Sequence, residues 1–138
     1  MAVSLTVKNI LRPIVALDKT KSSKEGADAM VKNGIGSVVV SDSGRYVGIV
    51  TERDLVKKVI AAGRDPTKTT LGELMSAPLI TIETSRGLGE ATSLMLQRGI
   101  RRLVAVENGK MVGIFTQRDL QQKVDEVFRS LAEAQNLS

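Results

Sequence analysis

The stretch Gly48-Ile49-Val50-Thr51-Glu52-Arg53-Asp54-Leu55 returns as Gly113-Ile114-Phe115-Thr116-Gln117-Arg118-Asp119-Leu120, sixty-five residues downstream. Gly, Ile, Thr, Arg, Asp and Leu recur in place. At the same offset Pro13/Pro78, Glu25/Glu90, Met30/Met95, Gly34/Gly99, Ile35/Ile100, Gly44/Gly109 and Val47/Val112 also coincide, so the copies align without a gap. A chain that repeats itself at constant spacing is built of like units, and each unit needs a neighbour to bury its apolar face. A half of roughly 65 residues is marginal alone. The expected organisation is therefore a first repeat over 5–63, a polar linker over 64–69 and a second repeat over 70–134.

Each copy reads in the same order. Residues 6–11 form a short helical turn stopped by Arg12-Pro13, because proline disfavours helix in the residue before it. Ile14–Leu17 is a short strand. A helix over about 24–32 follows, capped by Ser22 and Ser23, with Ala27, Met30 and Val31 on its inner face and Asn33-Gly34 as its stop. Ser37–Val40 is a β-branched, buried strand, and Tyr46–Val50 is its hairpin partner across Asp42-Ser43-Gly44. Thr51 opens a helix to about Ala62, with Leu55, Val56, Val59 and Ile60 at helical spacing. The second copy repeats this with a short helix at Leu71–Met75, a strand at Leu79–Ile82 and a helix over Leu88–Gln97. Its hairpin is Arg102–Val106 with Met111–Phe115, and a longer last helix runs to about Ala134. On that helix Leu120, Val124, Val127, Phe128 and Leu131 form an apolar stripe suited to its own core or to a second copy of the chain.

Composition removes several classes of function. There is no Cys and no His in the 138 residues. Disulfides, thiolate nucleophiles, imidazole acid/base chemistry and the usual zinc sites go with them. No calcium-loop spacing appears. Gly87-Leu88-Gly89 opens like a dinucleotide loop, but Thr92 stands where the third glycine belongs, and there is no Walker sequence. The expectation is a protein that is not an enzyme, needs no metal or cofactor and has no membrane span or signal peptide, hence cytoplasmic. The formal charge is +5, and most of it lies in residues 1–65, with eleven basic against seven acidic side chains. It is scattered, without the aromatic interleaving of single-strand binders.

What remains is the Thr-x-x-Asp junction. Thr at the N-cap and Asp three residues on make a capping pair worth about 1 kcal/mol, and an early carboxylate suits the helix dipole. The same carboxylate can accept both hydroxyls of a cis-diol. A phosphate needs cations or free N–H groups, and Arg101-Arg102 supplies cations in the second copy. The matching positions of the first copy are Gly36 and Ser37, which have none. Adjacent strand residues point to opposite faces, so one of the two arginines can be a solvated surface charge.

With both copies in view, the chain resembles a tandem pair of the cystathionine-β-synthase (CBS) domain family, here without an attached catalytic or membrane domain. The motifs that carry the resemblance are Gly34-Ile35…Val38-Val39-Val40 and Gly44…Val47-Gly48-Ile49-Val50-Thr51-Glu52-Arg53-Asp54, with their second-copy equivalents. The resemblance implies an α+β fold of two repeats, each a small sheet flanked by helices, about a pseudo-twofold axis with two clefts. It implies adenosine ligands such as AMP, ADP, ATP or S-adenosylmethionine, and a homodimer forming a disc of four repeats.

Carried over residue by residue, Thr51 and Asp54 hold ribose while Arg101 and Arg102 meet phosphate, with Arg53 a further phosphate candidate. Thr116, Arg118 and Asp119 make the second site, with Gly36 and Ser37 and a weaker hold on anions. Val15 and Ile80, with Ile35 and Ile100, are the candidates to sandwich adenine. The expected function is a regulatory adenosine-nucleotide sensor that acts on a protein partner by changing conformation. The alternatives are a nucleic-acid-associated basic protein, an S-adenosylmethionine-binding module and a ligand-free scaffold.

Overall fold

The computed structural model describes residues 5–136. It is α+β, with two three-stranded sheets of the same design. The chain divides into two compact units. Residues 14–79 form one, and the chain up to Pro13 joins the chain from Ile80 onward in the other.

In the 14–79 unit the elements are β1 (Ala16–Asp18), α1 (Ser23–Asn33), β2 (Ser37–Asp42), β3 (Arg45–Thr51), α2 (Glu52–Leu55) and α3 (Leu71–Leu74). β1 pairs parallel to β2, and β2 antiparallel to β3. The Ser43-Gly44 turn has positive φ at both residues, 52° and 79°, the mirror-image geometry that matches strand twist in tight hairpins. α1 starts on a capping box, Ser22 with Glu25, and ends at Gly34 in the left-handed conformation. The core is aliphatic: Met30, Val38, Val40, Val50, Val59, Leu71 and Leu74.

The other unit repeats the plan. It holds a 3-10 turn (Val7–Ile10), β4 (Thr81–Glu83), α4 (Leu88–Arg98), β5 (Arg102–Glu107), β6 (Lys110–Thr116) and α5 (Gln117–Asn136). Phe115 is fully buried among Val7, Ile10, Leu103, Ala105 and Leu120. The register irregularity between Val40 and Ser41 in the first sheet recurs between Ala105 and Val106 in the second.

Each sheet receives a short segment along its hairpin edge. Ser76 exchanges backbone hydrogen bonds with Ile49, at 3.0 and 2.9 Å, and Arg12 does the same with Ile114, at 2.8 and 3.0 Å. A Cβ added at Gly48 would lie 2.6 Å from Met75 Sδ and 2.9 Å from the Ser76 carbonyl oxygen. One added at Gly113 would lie 3.0 Å from Leu11 Cβ and 3.1 Å from the Arg12 oxygen. The repeated glycine is what lets the edge segment lie flat on the strand. The edge segments correspond at sixty-four residues, Thr6 with Thr70 and Arg12 with Ser76, whereas the strands and helices correspond at sixty-five. One residue is therefore gained before Pro78, and the ungapped alignment holds only from the prolines onward.

Three expectations change. Val31 is 84% exposed. Met30 is on the inner face of α1 as expected, joined by Ser23 and Gly26, while Val31, about 100° further round, turns to solvent. The helix after Thr51 does not run regularly to Ala62. It passes after Leu55 into one π turn, Val56–Ile60, closed by Ala61 N–H donating to the Val56 carbonyl at 2.8 Å. Val59 is buried on the core side, and Val56 and Ile60 are exposed. Residues 64–69, expected as a linker, are hydrogen-bonded to the start of α1. Ser23 N–H donates to the Thr69 carbonyl, its hydroxyl to the Pro66 carbonyl, and Thr69 is buried.

Candidate functional site

Both Thr-x-x-Asp junctions form at the end of a hairpin. β3 runs into α2 at Thr51, and Glu52 N–H donates to the Gly36 carbonyl at 3.0 Å. β6 runs into α5 at Thr116, and Gln117 N–H donates to the Arg101 carbonyl at 2.8 Å. Gly36 and Arg101 thus tie the start of the neighbouring strand to the helix start through the backbone alone. One residue on, Ser37 pairs with Thr51 across the first ladder and Arg102 with Thr116 across the second. The cross-strand partner of the cap threonine is therefore a buried serine in one unit and a half-buried arginine in the other.

At the first junction Asp54 Oδ2 accepts the Thr51 N–H at 2.8 Å and the Thr51 hydroxyl at 3.1 Å, while Asp54 N–H donates to Thr51 Oγ1 at 3.2 Å. The capping box expected here is present. Asp54 Oδ1 lies 3.1 Å from Lys58 Nζ, one turn along the same helix, and that ammonium also donates to the Leu74 carbonyl at 2.9 Å. The pair is 43% and 15% exposed.

At the second junction Asp119 Oδ2 accepts the Thr116 N–H at 2.9 Å, and Asp119 N–H donates to Thr116 Oγ1 at 3.1 Å. The other carboxylate oxygen is taken differently. Arg12 Nε donates to Asp119 Oδ1 at 2.7 Å, with Asp119 only 9% exposed. Sequence reading gave Arg12 no role beyond preceding Pro13. The contact spans 107 positions, so no local spacing announces it.

The remaining candidates fall as follows. Arg101, Arg53 and Arg118 are exposed. Arg102 is half-buried, and its Nε is buried without a hydrogen-bond partner among the described residues. The two neighbouring arginines thus differ in burial, in keeping with strand alternation. Val15 packs against the core of the 14–79 unit, and Ile80 and Ile100 against that of the other; all are half-buried, as is Ile35. Val15 and Ile80 also serve the sheets, since Val39 N–H donates to the Val15 carbonyl at 2.9 Å and Val104 N–H to the Ile80 carbonyl at 3.2 Å. Among the described residues no group of three or more Asp and Glu could hold a metal ion, and no helix is long and apolar enough to cross a membrane.

Comparison with known families matches the CBS domain twice, over residues 7–61 and again over 71–126. The chain belongs to the CBS domain family. An uncharacterized protein of Methanopyrus kandleri is 42% identical over 113 residues, which is 80% of this chain and 58% of that protein. The chain thus spans little more than half the length of that relative. A CBS domain-containing protein of Bacillus subtilis is 33% identical, with 83% of this chain and 82% of the relative covered. Among solved structures, a hexameric CBS-CP12 protein from bloom-forming cyanobacteria is 25% identical, with a TM-score of 0.83 over 92% of this chain and 76% of that one. The CBS repeats meet their family pattern where the sequence is duplicated, and the junction threonines and aspartates lie within both matched stretches.

Proposed function

We propose that this tandem CBS chain is a cytoplasmic regulatory module that binds an adenosine nucleotide, and that occupancy changes its conformation or self-association to act on a protein partner. The observation that carries the reading is the Thr51–Asp54 junction. Its aspartate is tied to the helix cap through one oxygen and keeps the other toward the helix surface, with Lys58 alongside. An ionised carboxylate has about four acceptor positions, so the cap and a cis-diol can share it. The proposed roles are ribose binding for Thr51 and Asp54 in the 14–79 unit and anion contact for Arg101 and Arg102 in the other unit. The unpartnered Nε of Arg102 supports its share, because a buried donor without an acceptor is costly and an anion would satisfy it. No catalysis is proposed: without His, Cys or a carboxylate pair the chain offers ligand recognition.

Self-association is part of the reading. The cyanobacterial neighbour is a hexamer. In this chain Phe128 and Leu131 of α5 are 68% and 59% exposed, a costly display of large apolar groups unless something covers them. A second copy is the proposed cover, in a homodimer.

The direct test is isothermal titration with AMP, ADP, ATP and S-adenosylmethionine. Binding of an adenosine nucleotide tighter than millimolar is expected. Heats indistinguishable from dilution for all four would reject the reading.

A further inference from the structure

The two CBS junctions are built alike in backbone, and the edge segment brings each a different side chain. In each unit the edge segment forms a two-bond bridge to the isoleucine just after the repeated glycine, Ile49 or Ile114. The bridging residue is Ser76 in one unit and Arg12 in the other. Serine ends short of the junction. Arginine reaches it, and its Nε meets Asp119 Oδ1 at 2.7 Å.

The consequence follows from the charge of the donor and from how firmly it is held. Asp119 has one oxygen on the Thr116 cap and the other on a guanidinium held in place by its own backbone bridge. The guanidinium meets the carboxylate as an opposite charge at charge-assisted length, whereas a ribose hydroxyl would bring it a hydrogen bond without a compensating charge. A diol would have to displace the stronger donor with a weaker one and leave the guanidinium to find another partner. Asp54 meets no such competitor from the edge segment. Its cation, Lys58, stands on the same helix and divides itself between Asp54 and the Leu74 carbonyl.

We infer that Arg12 closes the Thr116–Asp119 junction to a ribose diol and so limits the chain to one nucleotide, at the Thr51–Asp54 junction. This rests on the reading of the Thr-x-x-Asp junction as a ribose clamp. Arg12 adds to the inequality of the two CBS repeats, and Ser76 shows what an open junction carries in its place.

The test is calorimetric stoichiometry with AMP on the full chain, comparing wild type, Arg12→Ser and Arg12→Ser combined with Asp119→Asn. Serine at the equivalent position supports the same bridge in the other unit, so the variant retains the edge pairing; circular dichroism melts check that it folds. Expected is one equivalent for wild type, two for Arg12→Ser and one again for the double variant. Equal stoichiometry in wild type and Arg12→Ser, or weaker binding in the variant, overturns the inference while one bound AMP in wild type keeps the clamp reading. No AMP on either protein overturns both. AMP on Arg12→Ser alone, lost with Asp119→Asn, upholds the inference and rejects nucleotide binding by the natural chain.

Discussion

Arg12 Nε and Asp119 Oδ1 are 2.7 Å apart across 107 residues of chain. The contact joins the first turns of the chain to the start of its last helix, inside one compact unit. Its counterpart in the other unit would pair Ser76 with Asp54, and a serine cannot supply the charge. Two junctions that share the Thr-x-x-Asp pattern are thereby given different electrostatic surroundings.

The aspartates should respond unequally to neutralisation. Asp54→Asn keeps an oxygen for the Thr51 N–H but loses the anion, and AMP binding should weaken at least about tenfold, the cost of replacing a charged acceptor by a neutral one. Asp119→Asn should change AMP affinity less than about twofold. Titration calorimetry on the two variants decides it, and the reverse order would reject Asp54 as the ligand site.

The glycines under the edge segments should be intolerant of a methyl group. Gly48→Ala brings a Cβ against Met75 Sδ and the backbone oxygen of Ser76, and backbone cannot rotate away. Overpacking of this kind costs about 1–3 kcal/mol. Gly113→Ala, with contacts of 3.0–3.2 Å, should cost less. Urea midpoints of the two variants measure both, and a Gly48→Ala protein as stable as wild type would contradict the packing.

Phe128→Ser with Leu131→Ser should lower the molecular mass seen by sedimentation without lowering the melting temperature. Both side chains are largely exposed within one chain, so they contribute little to its fold. An unchanged mass would show that this face of α5 is not the contact between copies.

Acid should loosen the start of α3 through Glu73. The Thr70 N–H and hydroxyl hold the Glu73 carboxyl below its ordinary 4.5, with Arg64 adding to the effect. A carboxyl whose folded value is lowered contributes stability that is complete above its unfolded value and is lost as pH falls through the folded one. The melting temperature of wild type should therefore drop more steeply below about pH 4.5 than that of Glu73→Gln, which keeps the cap without the charge. Parallel melting curves of the two proteins from pH 6 to 3 check it.

Much of the fold was legible because its signals are local. Ser22 with Glu25, Thr51 with Asp54 and Thr70 with Glu73 are capping boxes three residues apart, and each one starts a helix. Ser43-Gly44 and Asn108-Gly109 turn where turn residues stand, with positive φ at each. The apolar runs at the centres of β2 and β5 are buried, as strands paired on both sides usually are. Helix phase was less legible. Val31 and Val56 are apolar at plausible spacings yet point to solvent, because hydrophobicity marks what can be buried and only packing partners decide what is.

The sequence by itself determined the duplication, the CBS resemblance and the pair of Thr-x-x-Asp junctions, since each is written in contiguous residues and set by backbone sterics and short-range hydrogen bonds. Only the tertiary structure decided which segment lies along which sheet. Edge pairing depends on unpaired strand groups and a missing Cβ at Gly48 and Gly113, and neither carries a sequence label for its partner. That choice put Ser76 beside one junction and Arg12 beside the other. An ion pair invisible at any local spacing thus adds to the inequality that Gly36-Ser37 and Arg101-Arg102 had already written into the repeat.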